Sequence, residues 1–227
     1  MAFRSATALT EIEYSGSCSV SVPSGVQDDD IIILFAFGRR TSLGGIGSFT
    51  WPTGFTEIAS RVISTYRRVG VAWKLASSES GSYTVSVSGA SQSWLAALAY
   101  SGRAASGSPV DVYSDTAYTT NNTTIRAASM TTTEDGDDIL WLGFADDPMT
   151  TIAGPSGMNA RVDVESAESS ATWAVSDLLD QSAGATGDKD GTAGTATVQK
   201  HAFMVGLKPV VVNGISIPLL NHLLLGD

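Results

Sequence analysis

Seven consecutive apolar residues, Ile31–Phe37, form the clearest pattern in the chain, and no polar residue interrupts them. Successive side chains of a strand point to opposite faces, so both faces of this segment need cover. The run is too short for a membrane helix, which takes about 20 apolar residues. Its β-branched and aromatic side chains, bounded by Asp28–Asp30 and Gly38, predict a fully buried strand. A second such run, Ile139–Phe144, also follows an acidic turn and predicts a second buried strand.

Other segments predict further strands. Tyr83–Ser88 alternates between apolar and polar residues, as a half-buried strand does. Trp94–Tyr100 and His201–Leu207 are nearly all apolar and predict two more central strands. Short stretches rich in Gly, Pro, Ser and Asp separate these segments and predict tight turns. The fold class that follows is all-β, with many short antiparallel strands.

The pattern of the first half returns a little more than one hundred residues later. Pro155–Met158 follows the second buried run as Pro52–Phe55 follows the first, and Thr195–Val198 resembles Tyr83–Val87. This spacing is too long for a solenoid repeat. We therefore predict two pseudo-repeated halves, at about residues 17–112 and 123–209, within one jelly-roll-like antiparallel β-sandwich that spans residues 1–209. Two tandem immunoglobulin-like domains are the alternative.

Residues 210–227 differ from the rest and form a predicted C-terminal apolar arm. Asn213-Gly214 is a candidate turn, while Pro218 and Gly226 stand where a helix begins and ends. The candidate partner contacts are the large aliphatic residues Ile215, Ile217, Leu219, Leu220, Leu223, Leu224 and Leu225. Either the arm packs on its own sandwich or it docks on another chain, and the sequence leaves both interpretations open.

Composition narrows the possible partners. The formal net charge of −10 disfavours nucleic acid, which needs surface Lys and Arg. The N-terminal segment lacks the pattern of a signal peptide and no segment is long enough to span a bilayer, so we expect a soluble protein made in a cytoplasm, without membrane association. Cys18 is the single cysteine, which excludes an intramolecular disulfide and a cysteine-based metal site.

Candidate catalytic chemistry is sparse. His201 begins a buried strand and His222 lies in the leucine-rich arm, so we interpret both as structural. No nucleophile elbow or phosphate-binding loop occurs, and a carboxylate pair of the glycosidase type would leave no local signature. Asp188–Gly191 resembles the start of a calcium loop but lacks the later ligands. The other acidic residues cluster at turns before strands, where we expect solvated carboxylates. We predict no enzyme, no cofactor and no metal.

Several segments together resemble a class of bacteriophage and prophage virion proteins. They are Val22–Asp30 with its apolar strand, Trp51–Thr56, Ala72–Ala76, Ser80–Val85, Tyr100–Gly102, Ser108–Val112 and Val205–Pro209. That class usually has Gly-Asp before the strand and Pro-x-Gly-Trp after it, where this chain has Asp-Asp and Phe55. The resemblance covers about residues 17–209. It implies a β-sandwich component of the phage head or tail and implies no catalytic residues.

The function expected from this resemblance is that of a capsid decoration or cement protein. Such a protein stabilises the phage head through contacts with the major capsid protein or other virion proteins. We expect a homotrimer, located in the virion after synthesis in the bacterial cytoplasm. A phage tail or receptor-binding component is the alternative within this class. From another class, the alternative is a carbohydrate-binding module with Trp51 and Phe55 as its glycan platform.

Overall fold

The secondary structure of this chain consists of strands. The computed structural model describes residues 2–8, 10–13, 15–41, 44–101, 107–118, 120–145, 151–165, 171–197, 199–209, 211–212 and 215–216. Within these ranges every regular element is a β-strand, and the paired strands are antiparallel. The prediction of an all-β antiparallel sandwich is therefore confirmed.

The first half of the described chain forms two sheets. Its strands are β1 (Ala2–Ala6), β2 (Thr10–Glu13), β3 (Ser17–Ser21), β4 (Ile31–Arg39), β5 (Phe49–Thr50), β6 (Thr56–Ser64), β7 (Arg67–Leu75), β8 (Ser82–Val87) and β9 (Gln92–Ser101). We call the sheet with the order β1-β9-β4-β7-β6 the first inner sheet; β2 also pairs with β9. The order β3-β8-β5 defines the first outer sheet.

The second half forms a similar pair of sheets. Its strands are β10 (Val110–Tyr118), β11 (Asn122–Ala127), β12 (Thr131–Thr132), β13 (Asp137–Ala145), β14 (Ile152–Ala153), β15 (Asn159–Glu165), β16 (Thr172–Gln181), β17 (Gly184–Ala185), β18 (Lys189–Thr197) and β19 (Lys200–Leu207). The second inner sheet has the order β10-β19-β13-β16-β15, and the second outer sheet has the order β11-β18-β14. The short strands β12 and β17 pair with each other.

The sheets stack in four layers. Alternate residues of β4, such as Phe35 and Phe37, meet Leu142 and Phe144 of β13 in an apolar cluster between the two inner sheets, which we call the central cluster. The opposite face of β4 packs on the first outer sheet. The opposite face of β13, which includes Trp141, packs on the second outer sheet. The two uninterrupted apolar runs are thus explained, because β4 and β13 each lie in an inner layer with both faces covered.

The two inner sheets share their strand order and their register. Ile31 pairs with Tyr100 and Phe37 with Trp94 in the first sheet. Asp138 pairs with Leu207 and Phe144 with His201 in the second, each the same number of residues further along the chain. The edge strands β6 and β15 also carry a bulge at corresponding places, after Glu57 in β6 and after Ala160 in β15. The internal repeat and the jelly-roll connection stay predictions, and this shared order is consistent with a repeat.

The beginning of the arm is a small hairpin. Strands β20 (Val211–Val212) and β21 (Ile215–Ser216) pair antiparallel with each other, and among the described strands they pair with no other. Of the candidate contacts, only the strand position of Ile215 falls within the described residues. The remaining candidates lie outside them, namely Ile217, Leu219, Leu220, Leu223, Leu224 and Leu225.

Candidate functional site at the interface of the two halves

Aromatic rings fill the centre of the interface between the two halves. The ring centroids of Phe37 and Phe144 are 4.3 Å apart, and those of Phe35 and Trp173 are also 4.3 Å apart. All four side chains are buried. Phe37 and Phe144 occupy the same register position in β4 and β13, so the two corresponding strands face each other in the central cluster. Rings of this size supply a large share of the apolar area that such an interface buries.

A buried carboxylate links the two halves at one side of this interface. Asp177 of β16 is fully buried, and its Oδ2 accepts a hydrogen bond from Arg161 Nε of β15 at 2.7 Å. Tyr100 of β9 in the first half donates its hydroxyl to the same oxygen at 3.2 Å. The guanidinium carbon of Arg161 lies 4.4 Å from the ring centroid of Phe3 in β1, also in the first half. We call these four residues the Asp177 cluster.

The tyrosine of this cluster holds its proton. Burial raises the pKa of Tyr100 well above its ordinary value, and the negative charge of Asp177 adds to the effect. Its hydroxyl therefore serves as a hydrogen-bond donor that joins the two halves rather than as an acid or base. Sequence reasoning missed this cluster. The available signal was a single charged residue inside the otherwise uncharged segment Thr172–Leu179, at the position that corresponds to Trp73 in the first half.

A second polar cluster links the two halves at the opposite side of the interface. Asp115 of β10 lies 2.9 Å from Arg61 of β6 in the first half, measured from Oδ2 to Nη2. Its Oδ1 lies 2.7 Å from Nε2 of His201 in β19. Burial raises the pKa of Asp115, but the contacts with His201 and Arg61 more than offset this and hold the pKa below its ordinary value. We call these three residues the His201 cluster; the buried imidazole has no access to a substrate.

The acidic turns differ from the expectation of solvated carboxylates. Asp30, Asp137 and Asp138 are buried. Asp30 pairs with Arg4 and accepts the backbone N–H of Gln27 at 2.8 Å, while Asp138 accepts the backbone N–H of Asp180 at 2.9 Å. The expectation holds for the exposed Asp28, Asp29 and Asp135 and was wrong for the three buried carboxylates, of which Asp30 and Asp138 bind backbone N–H groups beside the entry to β4 and β13.

In the calcium-loop-like fragment Asp188–Gly191, the carboxylates bind an arginine side chain. Both carboxylate oxygens of Asp190 accept hydrogen bonds from Arg126, at 2.7 and 2.6 Å, and Asp188 lies 3.2 Å from the same guanidinium. A bidentate pair of this kind satisfies a carboxylate without a metal. Within the described ranges, no three His, Cys, Asp or Glu side chains are grouped so that they could hold a metal ion.

The candidate glycan platform is engaged in packing at the first outer sheet. The ring of Trp51 lies 4.9 Å from that of Phe49, centroid to centroid, and its indole N–H donates to Glu57 at 2.7 Å. Phe55 packs against Tyr83, with the ring centroids 5.0 Å apart. Both Trp51 and Phe55 are only partly buried, and the two aromatic contacts are separate. The glycan platform stays a hypothesis.

Two further features bear on chemistry. A cavity of about 80 Å³ lies beside Ile139 and Leu178, far smaller than the ~300 Å³ at which ligand pockets begin. Burial raises the pKa of Cys18 to about 12, so this thiol is not a nucleophile at neutral pH.

In the part of the chain that the structure describes, no helix is long and apolar enough to cross a membrane.

Fold and site together define a four-layered antiparallel β-sandwich protein whose buried polar groups join its two halves. Comparison with models of known families, with characterised proteins and with solved structures finds no match for this chain.

Proposed function

We propose that this protein is a structural component of a phage particle, a decoration or cement protein that binds the major capsid protein or other virion proteins. The observation that carries the proposal is the β20–β21 hairpin, which among the described strands pairs only with itself. The arm therefore does not extend the sheets of its own sandwich at this point. The leucine-rich sequence that follows this hairpin is suited to contact with a neighbouring chain.

The interface between the halves supports a static role. Tyr100 and Asp177 are buried and bind each other across the interface, and the buried His201 contacts Asp115, which pairs with Arg61 of the other half. Groups fixed in this way add rigidity and specificity to a scaffold, whereas a catalytic group has to reach a substrate. The resemblance to phage virion proteins supplies the particular setting, a trimer in the virion after synthesis in the bacterial cytoplasm.

A truncation tests the arm directly. A variant that ends at Pro209 is compared with the full chain by thermal unfolding, light scattering and co-sedimentation with capsids of the phage that encodes it. We expect the same unfolding temperature and the loss of capsid binding, because the sandwich is complete without the arm. The matched control is Asn221→Ala, which replaces a polar residue of the arm and should leave capsid binding unchanged.

Two results would contradict this proposal. The first is unchanged capsid occupancy by the variant that ends at Pro209. The second is attachment of the full chain to tails and not to heads, which would favour the tail or receptor-binding alternative. Retention on a glycan array that Trp51→Ala abolishes would instead favour a carbohydrate-binding module.

A further inference from the structure

The carboxylate of Asp115 links the two halves at the side of the interface where β6 meets β10. Asp115 Oδ1 lies 2.7 Å from His201 Nε2 and 3.4 Å from Arg61 Nε, and its Oδ2 lies 2.9 Å from Arg61 Nη2. Arg61 belongs to the first half, whereas Asp115 and His201 belong to the second. Any change in the charge of His201 therefore acts on a contact between the halves.

The three side chains differ in their access to water. The exposed fraction of the side chain is 0% for His201, 16% for Asp115 and 45% for Arg61. Arg61 can exchange Asp115 for water by rotating its side chain. His201 can reach water only if β19 and the edge strand β10 separate from their surroundings.

Aromatic rings flank His201 among the described residues. Its ring lies 4.5 Å from that of Phe203 on its own strand, and it pairs with Phe144 of β13. The charged groups that face it are Asp115 from β10 and Arg61 from β6. The neighbouring Lys200 directs its ammonium to oxygens of Thr120, Asn122 and Thr197 instead.

Protonation of this imidazole is costly. Within the described residues Nδ1 has no hydrogen-bond partner, while Nε2 lies 2.7 Å from Asp115 Oδ1. A second N–H and a positive charge would add a buried donor without an acceptor and place it near the cationic Arg61. Burial lowers the pKa of His201 and Arg61 contributes, while Asp115 offsets only part of the effect.

We propose that His201 is an acid-sensitive latch between the two halves, whose protonation expels the imidazole and opens the β6–β10 side of the central cluster. In an open or unfolded chain, histidine titrates near its ordinary pKa of about 6.5. Because the closed form has the lower pKa, the open form binds more protons below that pH. The latch is therefore closed above about pH 6.5 and loses stability as the pH falls towards the lowered pKa. This inference is independent of the phage assignment.

Hydrogen exchange of the full chain at several pH values between 7 and 5 tests the latch. After correction for intrinsic rates, we expect exchange in β6 and β10 to accelerate by up to about tenfold per pH unit, the limit for uptake of one proton. The outer sheets should show no such change. His201→Phe should abolish the acceleration, and His222→Phe, at the other histidine of the chain, should retain it.

Direct titration of His201 by NMR completes the test. An imidazole pKa at or above 6.5 in the folded wild type would overturn the proposal, since closure would then favour the charged form. Equal acceleration in His201→Phe would also overturn it. If His201→Phe does not fold, His201→Gln keeps a neutral polar side chain at the same place, and the wild-type titration still decides.

Discussion

At the scale of single residues, hydrogen bonds and ion pairs join the two halves, and these contacts gain strength because their side chains are buried. In the Asp177 cluster a fully buried carboxylate holds Arg161 and Tyr100 from two halves of the chain. Removing one member of a buried ion pair leaves the other charge without compensation, which costs more than the pair contributes. Replacing only Asp177 or only Arg161 should therefore lower the free energy of unfolding strongly, whereas replacing both should lower it much less.

We expect Asp177→Ala to lower the free energy of unfolding by about 3 kcal/mol, because the partly buried guanidinium of Arg161 and the buried hydroxyl of Tyr100 both lose their carboxylate partner. Urea denaturation of the wild type and the variant measures this change. The double variant Asp177→Leu with Arg161→Leu should lose much less, since no charge is then stranded. A double variant as unstable as Asp177→Ala would contradict this explanation.

At the scale of elements, the indole ring of Trp141 is a main contact between strand β13 and the second outer sheet. Trp141 lies directly over Gly143 of its own strand and over Gly191 of β18. A methyl group at either glycine would overlap the indole. In the sequence Gly143 is one small residue within an apolar run, but in the structure it provides the space that the ring occupies.

We expect Gly143→Ala to destabilise the protein by about 1–3 kcal/mol, the usual cost of overpacking a core. Thermal unfolding of the variant checks this value. The cost should shrink in a Trp141→Leu background, where the smaller side chain leaves room for the methyl group. If the cost is the same in both backgrounds, the overlap with Trp141 is not its cause.

For the whole molecule, the central cluster is shared by the two halves, so we expect them to fold as one unit. Buried residues from both inner sheets form this cluster, among them Phe35, Phe37, Phe144 and Trp173. A half on its own would expose the inner face of a five-stranded sheet to water. Exposed apolar patches of this size lead to association or aggregation.

We expect residues 1–106 and residues 107–227, produced separately, to aggregate or self-associate, and a co-refolded mixture to recover the folded state. Light scattering and near-ultraviolet circular dichroism of each half and of the mixture test this. A half that is monomeric and unfolds cooperatively on its own would show instead that each sandwich is an independent domain.

The amino-acid sequence by itself determined the fold class and the most apolar strands, because alternation and apolar runs are local properties; it did not indicate β1, β2, β15 or β16. It placed β4, β9, β13 and β19 correctly as central strands. Only the tertiary structure decided that four layers provide the cover, and that Arg61 meets Asp115 while Tyr100 meets Asp177. Those contacts join residues far apart in the chain. They depend on how whole sheets stack, and no local pattern of residues records that.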